Sequence, residues 1–208
     1  MTQKLFLFDF DGVLVDSLQV YLRAVKWCLE TIGSPIVKTE EDYRDLFDDN
    51  FYESLQQRGV DLDAFGKALL DYTAMMGGNY YDDVTPFTLM IPIVEALRKN
   101  HLLAIISSNS LDAIEKIFKK FQYDGCFQTI LGSDFSLSKK DKIAYAMDRF
   151  SVGPENTYYV GDTAGDITEG RQAGVLTVAV TWGWHSRTRL LTANPDFLVD
   201  VPEELLAV

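Results

Sequence analysis

Residues 4–12 read KLFLFDFDG, and residues 157–166 read TYYVGDTAGD. Each stretch is a short and nearly continuous apolar run that leads into acidic residues and a glycine. Such a run is typical of a strand that is buried on both faces of a parallel sheet. The two stretches therefore predict two buried strands, Lys4–Phe8 and Thr157–Val160, each with carboxylate side chains directly beyond its end.

Further apolar runs have the same character, and helical patterns lie between them. The runs are Leu102–Ile106, Phe127–Leu131, Leu176–Val180 and a short one at Phe197–Val199, and the helical patterns are Ile91–Asn100, Leu111–Phe121, Lys140–Phe150 and Asp166–Ala173. Strands that alternate with helices predict an α/β fold, a doubly wound, Rossmann-like parallel sheet with helices on both faces. Right-handed crossovers then bring the carboxyl ends of the strands to one edge, where ligands bind.

One long stretch interrupts this alternation. Between about Ser17 and Asp83 no buried strand is evident, and Gly33, Gly59 and Gly77-Gly78 punctuate four helical segments: Leu18–Ile32, Glu40–Phe47, Phe51–Arg58 and Leu62–Met76. We therefore expect an α-helical insert, residues 17–83, directly after the first strand. Residues 1–16 and 84–208 would then form the α/β core.

The composition excludes several classes of function. The 208 residues include 31 acidic and 19 basic side chains, a formal net charge of −12, which argues against binding to nucleic acids or to anionic membrane surfaces. The apolar runs are too short to span a bilayer. Cys28 and Cys126 are isolated in the sequence and form no disulfide framework, which favours a reducing compartment. We expect a cytoplasmic protein.

Polar side chains follow the predicted strands at the ligand-binding edge. They are Asp9 and Asp11, the run Ser107-Ser108-Asn109, the pair Asp162 and Asp166, and the helix start Lys139-Lys140. Clustered carboxylates repel one another unless a cation lies among them, and oxygen ligands without His or Cys suit Mg²⁺. A lysine, a hydroxyl and backbone N–H groups suit the oxygens of a phosphate. One carboxylate could attack phosphorus while another serves as acid and base.

The same residues resemble the motifs of the haloacid dehalogenase-like hydrolase superfamily. The stretch DFDGVLVDS, residues 9–17, resembles the first motif, and SSN, SKK and GDTAGD resemble the second, third and fourth. Val13 stands where many members have Thr. The helical insert resembles the superfamily's type 1 cap, and residues 181–205 resemble the tail of its phosphoglycolate phosphatase-like branch. The resemblance extends over essentially the whole chain.

The resemblance implies a Mg²⁺-dependent phosphatase that hydrolyses a small phosphomonoester, with phosphoglycolate favoured, through an aspartyl-phosphate. It implies that Asp9 is the nucleophile and Asp11 the general acid and base. The implied metal ligands are Asp9, Asp11, Asp162 and Asp166. The implied phosphate-binding residues are Ser108, Asn109 and Lys139, with Ser107 and Lys140 as alternatives to Ser108 and Lys139.

Other functions remain open at this stage. A phosphosugar mutase would use the same core residues and differ in its cap. A phosphorylation-driven signalling domain also combines carboxylates, Mg²⁺, a hydroxyl and a lysine on a doubly wound sheet, and its acceptor here would be Asp134, after the third predicted strand. We expect a small phosphorylated metabolite as the partner, no nucleic acid and no membrane, and a monomer or homodimer.

Overall fold

The computed structural model describes residues 3–78, 81–121, 123, 125–135 and 137–208. The chain divides into two compact units. The first consists of Met1–Asp16 with Thr85–Val208, and the second is Ser17–Val84. In the described ranges, each helix is too short or too polar to cross a lipid bilayer.

The first unit is built on strands whose bounds follow the apolar runs. In chain order they are β1 (Leu5–Phe8), β2 (Val15–Asp16), β3 (Thr85–Pro86), β4 (Leu102–Ile106), β5 (Thr129–Leu131), β6 (Thr157–Gly161), β7 (Leu176–Val180) and β8 (Phe197–Val199). Over the described residues, six of them form one parallel sheet in the order β5-β4-β1-β6-β7-β8, and β2 pairs with β3 in an antiparallel ladder.

The helices are as follows. The second unit contains α1 (Leu18–Thr31), α2 (Glu40–Arg44), α3 (Phe51–Gln57) and α4 (Leu62–Met75), with a 3₁₀ turn at Asp45–Phe47. The first unit contains α5 (Met90–Leu97), α6 (Leu111–Phe118), α7 (Lys139–Phe150), α8 (Ala164–Ala173) and α9 (Arg187–Thr192), with 3₁₀ turns at Pro154–Asn156 and Pro202–Ala207.

The order of the strands confirms the predicted fold class. From β1 the chain proceeds through β4 to β5 on one side, and then returns to β6 and continues through β7 to β8 on the other. The order reverses between β1 and β6, and in doubly wound sheets ligands bind outside the strand ends at such a point. All four residues of β1 have no solvent exposure, as expected for a strand covered on both faces.

Most departures from the predicted bounds have a local cause. Helix α7 begins one residue early because the Ser138 hydroxyl accepts the backbone N–H of Asp141, and α8 begins at Ala164 because Thr163 and Asp166 form a capping box. The strand β5 starts at Thr129 and leaves Phe127 outside, where its ring stacks on that of Phe118 at 5.7 Å. The short pair β2 and β3 was not predicted, because two residues carry no periodicity.

The described residues of the second unit form helices joined by turns and contain no strand. Helix α1 packs on α4, and its buried side chains, which include Val20, Ala24 and Cys28, recur at helical spacing. The rings of Trp27 and Tyr72 meet across this pair with centroids 5.4 Å apart. That this unit acts as a cap stays a prediction.

Candidate active site

Three carboxylates that are far apart in the sequence meet at the point where the strand order reverses. Asp9 follows β1, and Asp162 and Asp166 follow β6, and they are 7%, 0% and 1% exposed. One carboxylate oxygen from each lies within 4.8 Å of the others. The pairing of Phe8 with Val160 explains this, because it aligns the ends of the two strands. Three buried like charges at this distance require positive charge among them.

Lys139 supplies part of that charge. Its ammonium donates to Asp9 Oδ2 at 2.9 Å and to Asp166 Oδ1 at 2.6 Å. Burial alone would lower the pKa of Lys139, but the charges of Asp166 and Asp9 hold it well above its usual value. The neighbouring Lys140 is exposed. Of the two lysines left open by the sequence, Lys139 is the one that reaches the carboxylates.

The Asp9 carboxylate is strongly perturbed. Its pKa is raised to about 7, mainly by burial; the charges of Asp166 and Asp11 also raise it, and Lys139 lowers it. Its second oxygen, Oδ1, accepts the backbone N–H of Phe10 at 2.8 Å. A carboxylate with a raised pKa holds its negative charge weakly in the absence of a cation, and a nearby divalent ion would favour the ionised form.

Both oxygens of the Asp166 carboxylate accept hydrogen bonds from the protein. Besides Lys139, the Tyr159 hydroxyl donates to Oδ1 at 2.9 Å, and Oδ2 accepts the N–H and the hydroxyl of Thr163 at 3.1 and 2.6 Å. Burial would raise the pKa of Asp166, but Lys139 and these hydrogen bonds lower it. With four donors on its two oxygens, Asp166 is suited to orient Lys139 more than to coordinate an ion directly.

Asp162 has the opposite character. Its Oδ2 accepts the N–H of Trp184 at 2.7 Å, while its Oδ1 is buried and makes no hydrogen bond with any described residue. Burial and the charges of Asp166 and Asp9 raise its pKa well above the usual value. A Cβ atom at Gly12 or Gly183 would collide with this carboxylate. A buried oxygen without a donor, beside other carboxylates and with no His or Cys, fits a hard divalent cation such as Mg²⁺.

The loop after β4 adjoins these carboxylates through Asp11. The Asn109 side-chain amide donates to Asp11 Oδ2 at 3.2 Å. Ser107 is fully buried, and its hydroxyl accepts the N–H of Asn109 at 3.0 Å, whereas Ser108 is exposed. Asn109 and Asp11 are therefore in contact, and the choice between the two serines for the phosphate stays open.

Asp134, the acceptor required by a signalling domain, lies apart from the carboxylate group. It follows β5, and its Oδ2 accepts the backbone N–H of Leu111 at 2.5 Å, at the start of α6. It therefore holds the start of a helix and is not part of the group of three carboxylates.

Some residues of the site escape sequence reasoning. Tyr159 lies in an apolar run and suggests only a core aromatic, and Lys142 lies in a helical pattern outside any motif. His185 is 1% exposed, and its Nδ1 accepts the N–H of Ala164 at 3.0 Å. The segment beside the Asp162 carboxylate is Trp182-Gly183-Trp184. It matches none of the four motifs, and its sequence alone does not connect it with Asp162.

Residues 6–180 match the family model described as haloacid dehalogenase-like hydrolase. The chain belongs to this family. A phosphoglycolate phosphatase of Synechococcus elongatus is 31% identical over 206 residues, covering 96% of this chain and 94% of that protein. A pyrophosphatase, PpaX, of Listeria innocua is 25% identical over 215 residues and covers 100% of this chain and 98% of its own length. The predictions of the superfamily and of a phosphatase-class hydrolase are thereby confirmed.

Solved structures of haloacid dehalogenase-like and other hydrolases share the fold. A haloacid dehalogenase-like family hydrolase of Streptococcus pneumoniae superposes with a TM-score of 0.80 at 24% identity, covering 99% of this chain and 97% of that one. A hydrolase of Pseudomonas syringae has a TM-score of 0.81 at 20% identity, with coverage of 99% and 97%. At this identity the likeness concerns the fold alone.

Proposed function

We propose that this protein is a Mg²⁺-dependent phosphatase that hydrolyses a small phosphomonoester through an aspartyl-phosphate on Asp9. The observation that carries the proposal is the buried meeting of Asp9 and Asp162 with the Lys139 ammonium beside them. This arrangement offers a nucleophilic carboxylate, an oxygen site for a cation and a fixed positive charge for a phosphate. Family membership supports the same chemistry.

Mg²⁺ would be held by the carboxylates of Asp9 and Asp162, with the backbone carbonyl of Asp11 as a third ligand and Asp166 in support. When bound, the ion would supply positive charge that neutralises the phosphoryl oxygens and the nucleophile. The buried Oδ1 of Asp162, which accepts no hydrogen bond from the described residues, supports a ligand role for that residue. The four hydrogen bonds of Asp166 support an indirect one.

In the first step, the Asp9 carboxylate attacks phosphorus and the bond to the ester oxygen breaks. Protonated Asp11 gives its proton to the departing oxygen, which leaves as an alcohol. Lys139 remains beside Asp9 and balances the charge of the transferring phosphoryl group. The contact of Asn109 with Asp11 orients the acid toward the same region.

In the second step, Asp11 removes a proton from water, and the water oxygen attacks the phosphorus of the aspartyl-phosphate. The bond to Asp9 breaks, inorganic phosphate leaves, and Asp9 is again a carboxylate while Asp11 is again protonated. Asp166 and Tyr159 hold Lys139 in place throughout. A second carboxylate two residues after the nucleophile is what permits this exchange of proton roles.

The substrate favoured is phosphoglycolate or a similarly small phosphomonoester. The support comes from several relatives that are named phosphoglycolate phosphatase and from the similarity to them, which extends over nearly the full chain. Pyrophosphate is the second compound to test, because other full-length relatives are named pyrophosphatases. Cys28 and Cys126 are buried and form no disulfide among the described residues, which supports a reducing, cytoplasmic location.

The test is hydrolysis of p-nitrophenyl phosphate with and without Mg²⁺, followed by a panel of phosphoglycolate, pyrophosphate and sugar phosphates compared by kcat/KM. We expect turnover that requires Mg²⁺ and is abolished in Asp9→Asn. Asp148→Asn, an exposed carboxylate on α7, serves as the control and should retain activity. Full activity in Asp9→Asn, or none in the wild type with any member of the panel, would refute the proposal.

A further inference from the structure

A second lysine of α7, Lys142, is buried beside the site. The residue is 3% exposed, and its ammonium donates to the carbonyl oxygen of Ser107 at 2.9 Å, its one hydrogen bond to a described residue. A buried ammonium with so few partners is costly, and its burial lowers the pKa of Lys142. The charges of Asp9, Glu169 and Asp134 act in the opposite direction and favour the ammonium. Burying the Lys142 ammonium is costly, and its hydrogen bond holds the carbonyl oxygen of Ser107 in place. This combination suggests that Lys142 has a functional role.

The orientation of the Ser107 carbonyl, which Lys142 holds, also determines the direction of the Ser108 N–H group. In a trans peptide the carbonyl and the N–H lie in one plane and point in opposite directions, and the described residues contain no cis peptide. With the Ser107 carbonyl directed at Lys142, the N–H of Ser108 is directed away from it. This N–H donates no hydrogen bond to any residue that the structure describes.

Other backbone groups of the same loop already form hydrogen bonds within the protein. The N–H of Asn109 donates to the Ser107 hydroxyl, its carbonyl accepts the N–H of Ser133 at 2.7 Å, and the N–H of Leu111 donates to Asp134. Gly132 permits this close approach, because a Cβ there would lie 2.7 Å from the Asn109 carbonyl. The loop is therefore held rigidly on both sides of Ser108, next to the carboxylate of Asp11.

We propose that Lys142 is a positioning residue for phosphate binding, which holds the Ser107 carbonyl so that the Ser108 N–H is presented to a phosphate oxygen. The inference rests on the proposed phosphatase function and adds to it a residue outside the family motifs quoted above. The two lysines have different roles. Lys139 contacts the carboxylates of Asp9 and Asp166, and Lys142 holds the loop after β4 through the Ser107 carbonyl.

The test compares Lys142→Met with Lys140→Met, which removes the same charge from an exposed position two residues away. Inorganic phosphate, with Mg²⁺ present, is titrated by calorimetry. We expect Lys142→Met to weaken phosphate binding by about tenfold or more, the loss of one hydrogen bond to a charged group, and to raise KM more than it lowers kcat. Lys140→Met should match the wild type. Mg²⁺ binding without phosphate should be unchanged in both.

Nuclear magnetic resonance can distinguish whether Lys142 positions the Ser108 N–H or acts only through its positive charge. At saturating phosphate and Mg²⁺, the Ser108 amide proton should move strongly downfield in the wild type and much less in Lys142→Met. If the lysine acted only through its charge, the saturated shift would be the same in both and the proposal would fail. Replacing a buried ion by an apolar side chain of similar length is often neutral or stabilising, and Lys142→Gln is the second variant should Met prevent folding.

The possible failures are distinct. Absence of phosphate binding and of turnover in the wild type would contradict the proposed function itself. Phosphate binding in the wild type, with equal affinities in Lys142→Met and Lys140→Met, would contradict the role of Lys142 alone. A parallel loss of Mg²⁺ affinity and melting temperature in Lys142→Met would assign the residue a structural role and would also overturn the inference.

Discussion

Neutralising the nucleophile should stabilise the metal-free protein at alkaline pH. Asp9 is buried, and its pKa of about 7 in the folded chain lies above the ordinary 3.8. Well below pH 3.8 the carboxyl is protonated in both the folded and unfolded states, so burial costs no charge. Between pH 3.8 and about 7 the unfolded state ionises while the folded state keeps its proton, so the stability present at low pH is lost progressively, and the loss is complete once the pH has risen through the folded pKa. Asp9→Asn carries no charge at any pH and avoids this loss.

The magnitude follows from the displacement of the pKa. Moving it from 3.8 to about 7 corresponds to about 4 kcal/mol between the protonated and ionised forms. The free energy of unfolding of Asp9→Asn, minus that of the wild type, should therefore rise by up to about 4 kcal/mol from pH 4 to pH 8. Any constant cost of losing the Lys139 contact cancels in this comparison.

The assay is urea unfolding in EDTA at several pH values, with Asp148→Asn as a control for removing an exposed carboxylate. The control should differ from the wild type by a small amount that hardly changes with pH. Saturating Mg²⁺ should restore stability to the wild type at pH 8 and much less to Asp9→Asn, because a ligand stabilises only the state that binds it. A pH-independent difference between Asp9→Asn and the wild type would show that burial does not perturb this carboxyl.

Three further outcomes are expected. Mg²⁺ affinity, measured by calorimetry, should fall by at least about tenfold per pH unit below pH 7, because protons compete with the ion for Asp9 and also for Asp162, whose pKa is raised as well; a flat profile would contradict this. Gly183→Ala should abolish Mg²⁺ binding by displacing the Asp162 carboxylate, whereas Gly66→Ala, whose Cβ meets open space, should bind normally. Tyr159→Phe should lower kcat/KM about tenfold and Tyr158→Phe hardly at all, since of these two tyrosines Tyr159 is the one whose hydroxyl donates to Asp166; equal effects would contradict that role.

The fold could be predicted from the sequence because buried parallel strands are nearly continuous apolar runs. The runs at β1, β4, β6 and β7 each gave a strand within one residue of its observed bounds. The helical insert was also evident, since its apolar residues recur at helical spacing between glycines. The pair β2 and β3 could not be predicted, because two-residue ladders depend on where the chain is brought together and not on local pattern.

The carboxylates of the candidate site could be predicted for a topological reason. In a doubly wound sheet every parallel strand ends at the same edge, so residues that follow β1 and β6 must lie near each other. Which oxygens accept hydrogen bonds could not be predicted. Asp162 and Asp166 look alike in the sequence, yet one has a buried oxygen with no described donor and the other accepts four hydrogen bonds. That difference is created by Tyr159, Thr163 and Trp184, which packing brings into place.

The helical spacing of α7 indicates which of its lysines face the protein interior. Positions 139, 142, 143 and 146 follow the i, i+3, i+4, i+7 pattern of one helix face, and Ile143 and Ala146 on that face are fully buried. Lys139 and Lys142 therefore point inward with them, while Lys140 lies off the face and is exposed. Two lysines on a buried helix face are unfavourable unless acceptors lie opposite, and the acceptors here are the site carboxylates and the Ser107 carbonyl. A lysine at an apolar helical position is thus itself an indication of a functional site.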